Sequence, residues 1–146
     1  MNVNNQDYLA GLRTAHRVVE RLLDDLGNQI RLGDVRGATA TLRRLQESLL
    51  AHLKSEDEKL YIDLKSADPS GTGGMISVTV STFSTAMRGI SARADRFFKK
   101  YGDGAAISGD PKGLQSDFAN LQADILRRIQ SEETVLYPLY EKHCGG

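Results

Sequence analysis

The sequence predicts an all-α fold, an antiparallel up-down-up-down four-helix bundle with a pseudo-two-fold internal repeat. Three observations predict it: four segments whose apolar residues recur at a helical period, turn residues between those segments, and two stretches that recur at nearly equal spacing. Amphipathic helices with short connections bury their apolar stripes only against each other, which gives a bundle. The chain of 146 residues has the size of one domain, so residues 1–146 are predicted to form a single bundle.

The first two predicted helices are separated by a tight turn. The first runs from about Leu9 to Gly33, and Asp34 is suited to cap the second, which continues to about Lys65. In both segments the apolar residues return every three or four positions, so each helix has one apolar stripe. The apolar positions are Leu12, Val19, Leu22, Leu23, Leu26 and Ile30 in the first helix, and Leu42, Leu45, Leu49, Leu53 and Leu60 in the second.

Residues 66–74 form the predicted crossover between the two halves, because they combine turn residues with the absence of any apolar period. The third helix is predicted over residues 80–101, although the β-branched residues 78–80 alone would suit a strand. The length of the periodic pattern favours a helix. Its apolar positions are Val80, Phe83, Met87, Ile90, Ala94, Phe97 and Tyr101.

The fourth helix has a clear start signal. Asp110 is a good N-cap, and Pro111 suits the first helical position because its missing N–H has no helical partner there. Pro138 is expected to kink the last turns. The apolar positions are Leu114, Phe118, Leu121, Ile125, Ile129 and Leu136.

The two halves of the chain also resemble each other in sequence. Residues 12–27 lie over residues 87–102 without a gap, at an offset of 75 (87 − 12 = 75). Residues 52–61 lie over residues 128–137 at an offset of 76 (128 − 52 = 76). Near-equal offsets in two separate helices indicate a duplication. The repeat halves are roughly residues 5–66 and 76–143.

Composition excludes several classes of function. Lysine plus arginine equals aspartate plus glutamate at 19 each, so no net field favours nucleic acid or an anionic membrane surface. The N-terminus has no secretory signal pattern, and no apolar stretch is long enough to span a membrane. Cys144 is the only cysteine, which precludes an internal disulfide. We therefore expect a soluble cytoplasmic protein.

Polar residues interrupt the apolar stripes at equivalent places. His16 lies on the stripe of the first helix, and His52 and Glu56 share the inner face of the second. Arg128 and Glu132 occupy the corresponding face of the fourth helix. Buried carboxylates and imidazoles cost several kcal/mol, roughly, unless they are paired or bind a cation. A divalent cation is one candidate partner, because neutral imidazole and carboxylate are common metal ligands in bundle cores.

These residues resemble those of the hemerythrin-like HHE cation-binding domain family over nearly the whole chain. The resemblance implies a four-helix bundle around an oxo- or hydroxo-bridged di-iron centre. His16 matches the ligand of the family's first helix, and His52 and Glu56 in HLKSE match the H-x-x-x-E pair of the second. Glu132, in SEETVLYP, matches the bridging acid of the fourth helix.

Two departures from the family pattern change the expected metal content. Arg128 stands where the family has a helix-four histidine, and helix three has no histidine, with Ser91 opposite His16 in the repeat. The resemblance assigns the missing ligands to one metal and the retained ligands to the other. It therefore implies a single divalent ion with open positions for water or a small ligand. Iron is the expected metal, and zinc and manganese are the alternatives. Reversible oxygen binding, which needs two irons, is not expected.

The alternative is a bundle without any metal. In that case the guanidinium of Arg128 would bridge Glu56 and Glu132 and neutralise them. Tyr61 and Tyr137 each follow an acid by five residues, which suits hydrogen bonding to the site or ordinary packing, and packing is favoured. The neighbouring acids Asp57, Glu58 and Glu133 are interpreted as solvated residues, and His143 and Cys144 as parts of a tail.

A binding or sensing role is favoured over an enzyme, because no nucleophile and base with suitable spacing occur in the sequence. Acidic neighbours argue against His52 as a phosphotransfer histidine, and a ferritin-like oxidase would need Glu-x-x-His motifs that the sequence lacks. The expected partners are a metal ion and a small ligand. A metal-free regulatory or protein-interaction module remains the second hypothesis.

Overall fold

The protein is all-helical in a computed structural model, which describes residues 3–69 and 74–145; these contain no strand. The all-α prediction is confirmed, and the residues 78–80 that would suit a strand lie inside a helix. None of the helices in the described ranges has the length and apolar character needed to cross a membrane. The helices are α1 (Val3–Leu32), α2 (Val35–Ser55), α3 (Tyr61–Ala67), α4 (Met75–Tyr101), α5 (Ala105–Gly109), α6 (Pro111–Ser131) and α7 (Tyr137–Cys144).

Caps set the boundaries of the helices. The side chain of Asp34 accepts a hydrogen bond from the Gly37 N–H at 2.9 Å at the start of α2. Asp110 accepts one from the Gly113 N–H at 3.0 Å at the start of α6. Gly33 ends α1 at φ +70°, a left-handed conformation that glycine adopts at low cost.

Two helices begin earlier than the apolar stripes indicate. The first starts at Val3 rather than near Leu9, and its first turns are fixed by Asn5, whose side-chain amide donates to the Cys144 carbonyl at 2.8 Å. The third starts at Met75 rather than at Val80. In both cases the helix continues beyond the apolar positions that predict it, and the added segments contain buried residues, Asn5 in the first helix and Ile76 in the third.

Two π-helical turns interrupt otherwise continuous helices. The first, π1 (Glu56–Leu60), joins α2 to α3, and the second, π2 (Glu132–Leu136), joins α6 to α7. They begin 76 residues apart (132 − 56 = 76). Pro138 lies directly after π2 in the first turn of α7, a position that tolerates a residue without an N–H. The last turns were expected to be kinked at Pro138, but the departure from α-helical geometry lies in π2, just before the proline.

The helices pack in a ring around one interior. Helix α1 packs against α2 and α6, and α4 packs against the same two helices, while α3 packs against α4 and α7. The apolar core consists of two clusters, one including Leu23 and Phe97 and the other including Leu60 and Tyr140. Between them lies a layer of buried polar residues: His16, His52, Glu56, Arg128 and Glu132.

We expect Leu45→Ala to lower the free energy of unfolding by about 2–5 kcal/mol, because Leu45 is fully buried in the first apolar cluster and its loss leaves a cavity. Leu50→Ala, in the same helix at a site 59% exposed, is the matched control and should change it by no more than about 0.5 kcal/mol. Urea unfolding followed by circular dichroism measures both. Equal effects would contradict this packing of α2.

Candidate metal centre

Three side chains from three elements meet inside the bundle. His16 comes from α1, His52 from α2 and Glu132 from the start of π2, and all three are buried. His16 Nε2 lies 2.8 Å from Glu132 Oε1 and 3.1 Å from His52 Nε2, and His52 Nε2 lies 3.4 Å from Glu132 Oε1. Two atoms bound side by side to one ion at about 2.1 Å are roughly 3.0–3.4 Å apart. Two of the three distances fall in this range and the third is slightly shorter, so the three atoms are close enough together to bind a single ion.

Glu56 lies beside this group rather than within it. Its Oε2 is 3.4 Å from His52 Nε2, but it does not join the three atoms that are mutually close. The Glu56 side chain is 1% exposed, and its Oε1 has no hydrogen-bond partner. The Nδ1 of His52 also lacks one. Unpartnered buried polar atoms of this kind cost free energy, and a bound cation would reduce the cost for the carboxylate.

Glu133 holds the ring of His16 from the other side. Its Oε2 lies 2.6 Å from His16 Nδ1, and it also pairs with Arg17. In the tautomer that has its proton on Nδ1, the ring donates to this carboxylate and the Nε2 lone pair is free to bind a cation, an arrangement typical of metal-bound histidines. The interpretation of Glu133 as a solvated residue is wrong. Nothing in the periodic pattern distinguishes it from Asp57, its counterpart in the repeat, which is exposed.

Arg128 is buried next to the cluster and pairs with one glutamate. Its Nε donates to Glu132 Oε2 at 3.1 Å, and its Nη2 donates to the Tyr61 hydroxyl at 2.8 Å. The guanidinium carbon lies 4.7 Å from the centre of the Phe83 ring. Among the described contacts none joins Arg128 to Glu56. The bridge between both acids that the metal-free reading requires is therefore not present in this structure.

The hydroxyls of both tyrosines contact the site, so packing alone does not describe them. In π1 and π2 the backbone N–H of Tyr61 bonds to the carbonyl of Glu56, and that of Tyr137 to the carbonyl of Glu132. A π turn holds about one more residue than an α turn, which brings the fifth residue after each acid round toward the same face. An α-helical period does not anticipate this placement.

Ser91 lies apart from the cluster. It is half-buried in a groove between α2 and α4, together with Leu49, Leu53 and Asp95. Within residues 3–69 and 74–145, no hydrogen bond links Ser91 to the histidines or glutamates. The position opposite His16 in the repeat therefore contributes no polar group to the centre.

The carboxylates control the charge of the centre. Burial alone would lower the pKa of His52, but its hydrogen bonds to Glu132 and Glu56 outweigh burial and raise it to about 9. Burial raises the pKa of Glu56, whereas contacts with His16 and His52 outweigh burial and lower that of Glu132. Burial, Glu56 and Glu132 together raise the pKa of Tyr137. Without a cation the site thus holds protons that a bound ion would displace.

A buried set of imidazoles and carboxylates inside an all-helical bundle defines a class of protein, the helical bundles that bind a cation in their interior. The profile of one family in this class, described as the hemerythrin HHE cation binding domain, matches residues 7–140. The chain belongs to that family, as the sequence resemblance indicated. Searches of curated proteins and of solved structures found no significant match to this chain. Family and cluster together indicate metal binding.

We expect Glu133→Gln to weaken Zn²⁺ binding by about 10–100-fold, because the amide is a poorer partner for His16 Nδ1 than the carboxylate is. Asp57→Asn removes the exposed acid at the corresponding position of the repeat and should leave the affinity unchanged. Titration of the chelator-treated proteins with Zn²⁺ against a competing indicator measures both. Equal affinities for wild type and Glu133→Gln would show that His16 is not held as a ligand.

Proposed function

We propose that the protein binds one divalent cation through His16, His52 and Glu132, with Glu56 as the fourth ligand, and that it serves in metal or small-ligand binding or sensing. The observation that carries this proposal is the approach of the two Nε2 atoms to 3.1 Å beside Glu132 Oε1. Two imidazole nitrogens at this distance share at most one hydrogen bond, whereas one cation binds the lone pairs of both. The ion would supply a Lewis-acidic centre for a small ligand.

A single ion is proposed because the second half of the family site is occupied by the chain itself. The buried guanidinium of Arg128 holds Glu132 and Tyr61 and covers the Phe83 ring. A second cation would be repelled by this fixed positive charge at short range and low dielectric. It would also lack imidazole ligands, since Arg128 and Ser91 stand at the positions that would supply them.

Iron is the first choice of metal, with zinc and manganese as alternatives. Two imidazoles and two carboxylates are acceptable to all three ions, so the donor set does not discriminate strongly. A groove of about 460 Å³ between α1 and α2 reaches His52 and is lined in part by small residues, among them Gly11, Ala15 and Ala51. We propose that a small ligand reaches the ion by this groove.

The proposed architecture is the up-down-up-down four-helix bundle with two repeated halves. The ring of helix contacts supports it, as do the two π turns at an offset of 76. A second groove, of about 510 Å³ between α4 and α6, reaches Arg128 as the first reaches His52. Tyr8 and Phe83 line the two grooves at an offset of 75 (83 − 8 = 75), and His52 and Arg128 at 76. Each half of the centre thus has an equivalent groove.

The second candidate is a metal-free bundle with a regulatory or protein-binding role. The observation that favours it is the buried ion pair of Arg128 with Glu132, which neutralises one acid without metal. A protonated His52 would neutralise the other. Under this hypothesis the fold is retained, and the polar layer only specifies the packing of the helices.

Metal content separates the two candidates. We expect protein purified without chelator to carry about one ion per chain, and His52→Ala to lose it, because the variant removes one of two imidazole ligands. His143→Ala, a histidine in the exposed part of α7, is the matched control and should retain the wild-type content. Elemental analysis gives the stoichiometry. Equal, substoichiometric metal in all three proteins would favour the metal-free module.

We expect Arg128→His to raise the iron content above one per chain, since it removes the fixed positive charge and supplies an imidazole at the family position. Arg127→His, at the neighbouring exposed residue, should leave the content at one. Both variants and wild type are loaded with Fe²⁺ under anaerobic conditions and desalted before analysis. An unchanged iron content in Arg128→His would contradict the assignment of this arginine to the second half of the site.

A further inference from the structure

The hydroxyl of Tyr137 lies at the point where the four proposed ligands converge. It is 3.1 Å from His16 Nε2 and 3.4 Å from His52 Nε2. It is 3.0 Å from Glu56 Oε2 and 3.3 Å from Glu132 Oε1, and the Tyr137 side chain is fully buried. Glu56, which does not join the other three ligand atoms, is therefore connected to them through this oxygen.

The hydroxyl of Tyr137 has more polar neighbours than it can serve as a donor. A phenol has one proton, so it donates one good hydrogen bond, yet two carboxylate oxygens and two ring nitrogens surround it. Glu56 Oε2, the nearest, takes that bond. The other three atoms, His16 Nε2, His52 Nε2 and Glu132 Oε1, lie 3.1–3.4 Å from the same oxygen. A cation among these atoms binds several lone pairs at once, and the phenol oxygen is then one of its nearest neighbours.

The ring of Tyr137 is held in this position from several sides. It stacks on the ring of His16, with centroids 5.3 Å apart and planes 12° from parallel. The guanidinium of Arg13 lies 5.8 Å from its centre. The π2 turn fixes the backbone through the bond from the Tyr137 N–H to the Glu132 carbonyl. Because ring and backbone are both fixed, the oxygen is preorganised toward the site.

Tyr61, the counterpart of Tyr137 in the repeat, has a different environment. Its hydroxyl accepts a hydrogen bond from Arg128 at 2.8 Å, on the side of the centre that the arginine fills. The two tyrosines thus share the π-turn position but differ in what they face. Tyr61 faces the guanidinium of Arg128, and Tyr137 faces the proposed metal ligands.

We propose that the phenolate oxygen of Tyr137 binds the metal directly, and that the protein therefore takes ferric iron in preference to zinc. This inference rests on the proposed one-metal site and changes its ion from a divalent cation to Fe³⁺. A bound ion would be held by the phenolate form of Tyr137, and the proton of its O–H group would be released to the medium. Phenolate and carboxylates are hard anionic oxygen ligands, which a small, highly charged ion such as Fe³⁺ favours more strongly than Zn²⁺ does.

The test uses chelator-treated wild type, Tyr137→Phe and Tyr61→Phe, each given one equivalent of ferric nitrilotriacetate. We expect wild type and Tyr61→Phe to show a phenolate-to-iron absorption band in the visible and phenolate modes in resonance Raman spectra. Tyr137→Phe should lose both signals and bind Fe³⁺ at least tenfold more weakly, while its Zn²⁺ affinity changes less. Circular dichroism checks that each variant is folded.

A wild-type measurement keeps the inference testable even if Tyr137→Phe does not fold. Ring-deuterated tyrosine in the wild-type protein should shift the Raman modes that are enhanced within the visible band. Bound iron without such a band in wild type, or a band that persists in Tyr137→Phe, would overturn the assignment of Tyr137 and leave the one-metal site intact. Failure of wild type to bind either Fe³⁺ or Zn²⁺ would instead overturn the proposed function.

Discussion

The interaction on which the structure depends is the neutralisation of two carboxylates buried in the middle of the bundle. Glu56 and Glu132 lie between two apolar clusters, each about 1% exposed, where an unpaired charge costs several kcal/mol, roughly. The side chains around them all supply positive charge or hydrogen-bond donors. Arg128 donates to one oxygen of Glu132, and His16 Nε2 lies 2.8 Å from the other. Glu56 has a hydrogen-bond donor at Oε2 but none at Oε1, so a cation could still neutralise its charge.

Much of the fold follows from the sequence because it depends on period and local capping. Asp34 and Asp110 cap helices where their spacing predicts, and the inner faces contain the five polar residues that interrupt the apolar stripes. The π turns could not be predicted, since the same residues satisfy an α-helical period. They change where the residue five positions after each acid lies, and this is why packing was favoured over hydrogen bonding to the site for Tyr61 and Tyr137.

The site was predictable where it depends on helix faces and unpredictable where it depends on contacts between helices. His16, His52 and Glu132 meet because each lies on an inner face. Glu133 reaches His16 from a position that the pattern assigns to solvent, a contact set by how α1 packs against the helix that contains π2. Arg128 pairs with Glu132 in its own helix rather than with both acids, a choice that depends on side-chain geometry.

X-ray absorption at the metal edge of protein loaded with one equivalent of Zn²⁺ addresses the central claim most directly, because imidazole rings give characteristic multiple scattering. The account predicts two imidazole nitrogens with the remaining ligands oxygen, at about 2.0–2.2 Å. His52→Ala should reduce the imidazole count to one. A spectrum with oxygen ligands alone, unchanged in His52→Ala, would place the ion outside the polar layer and contradict the account.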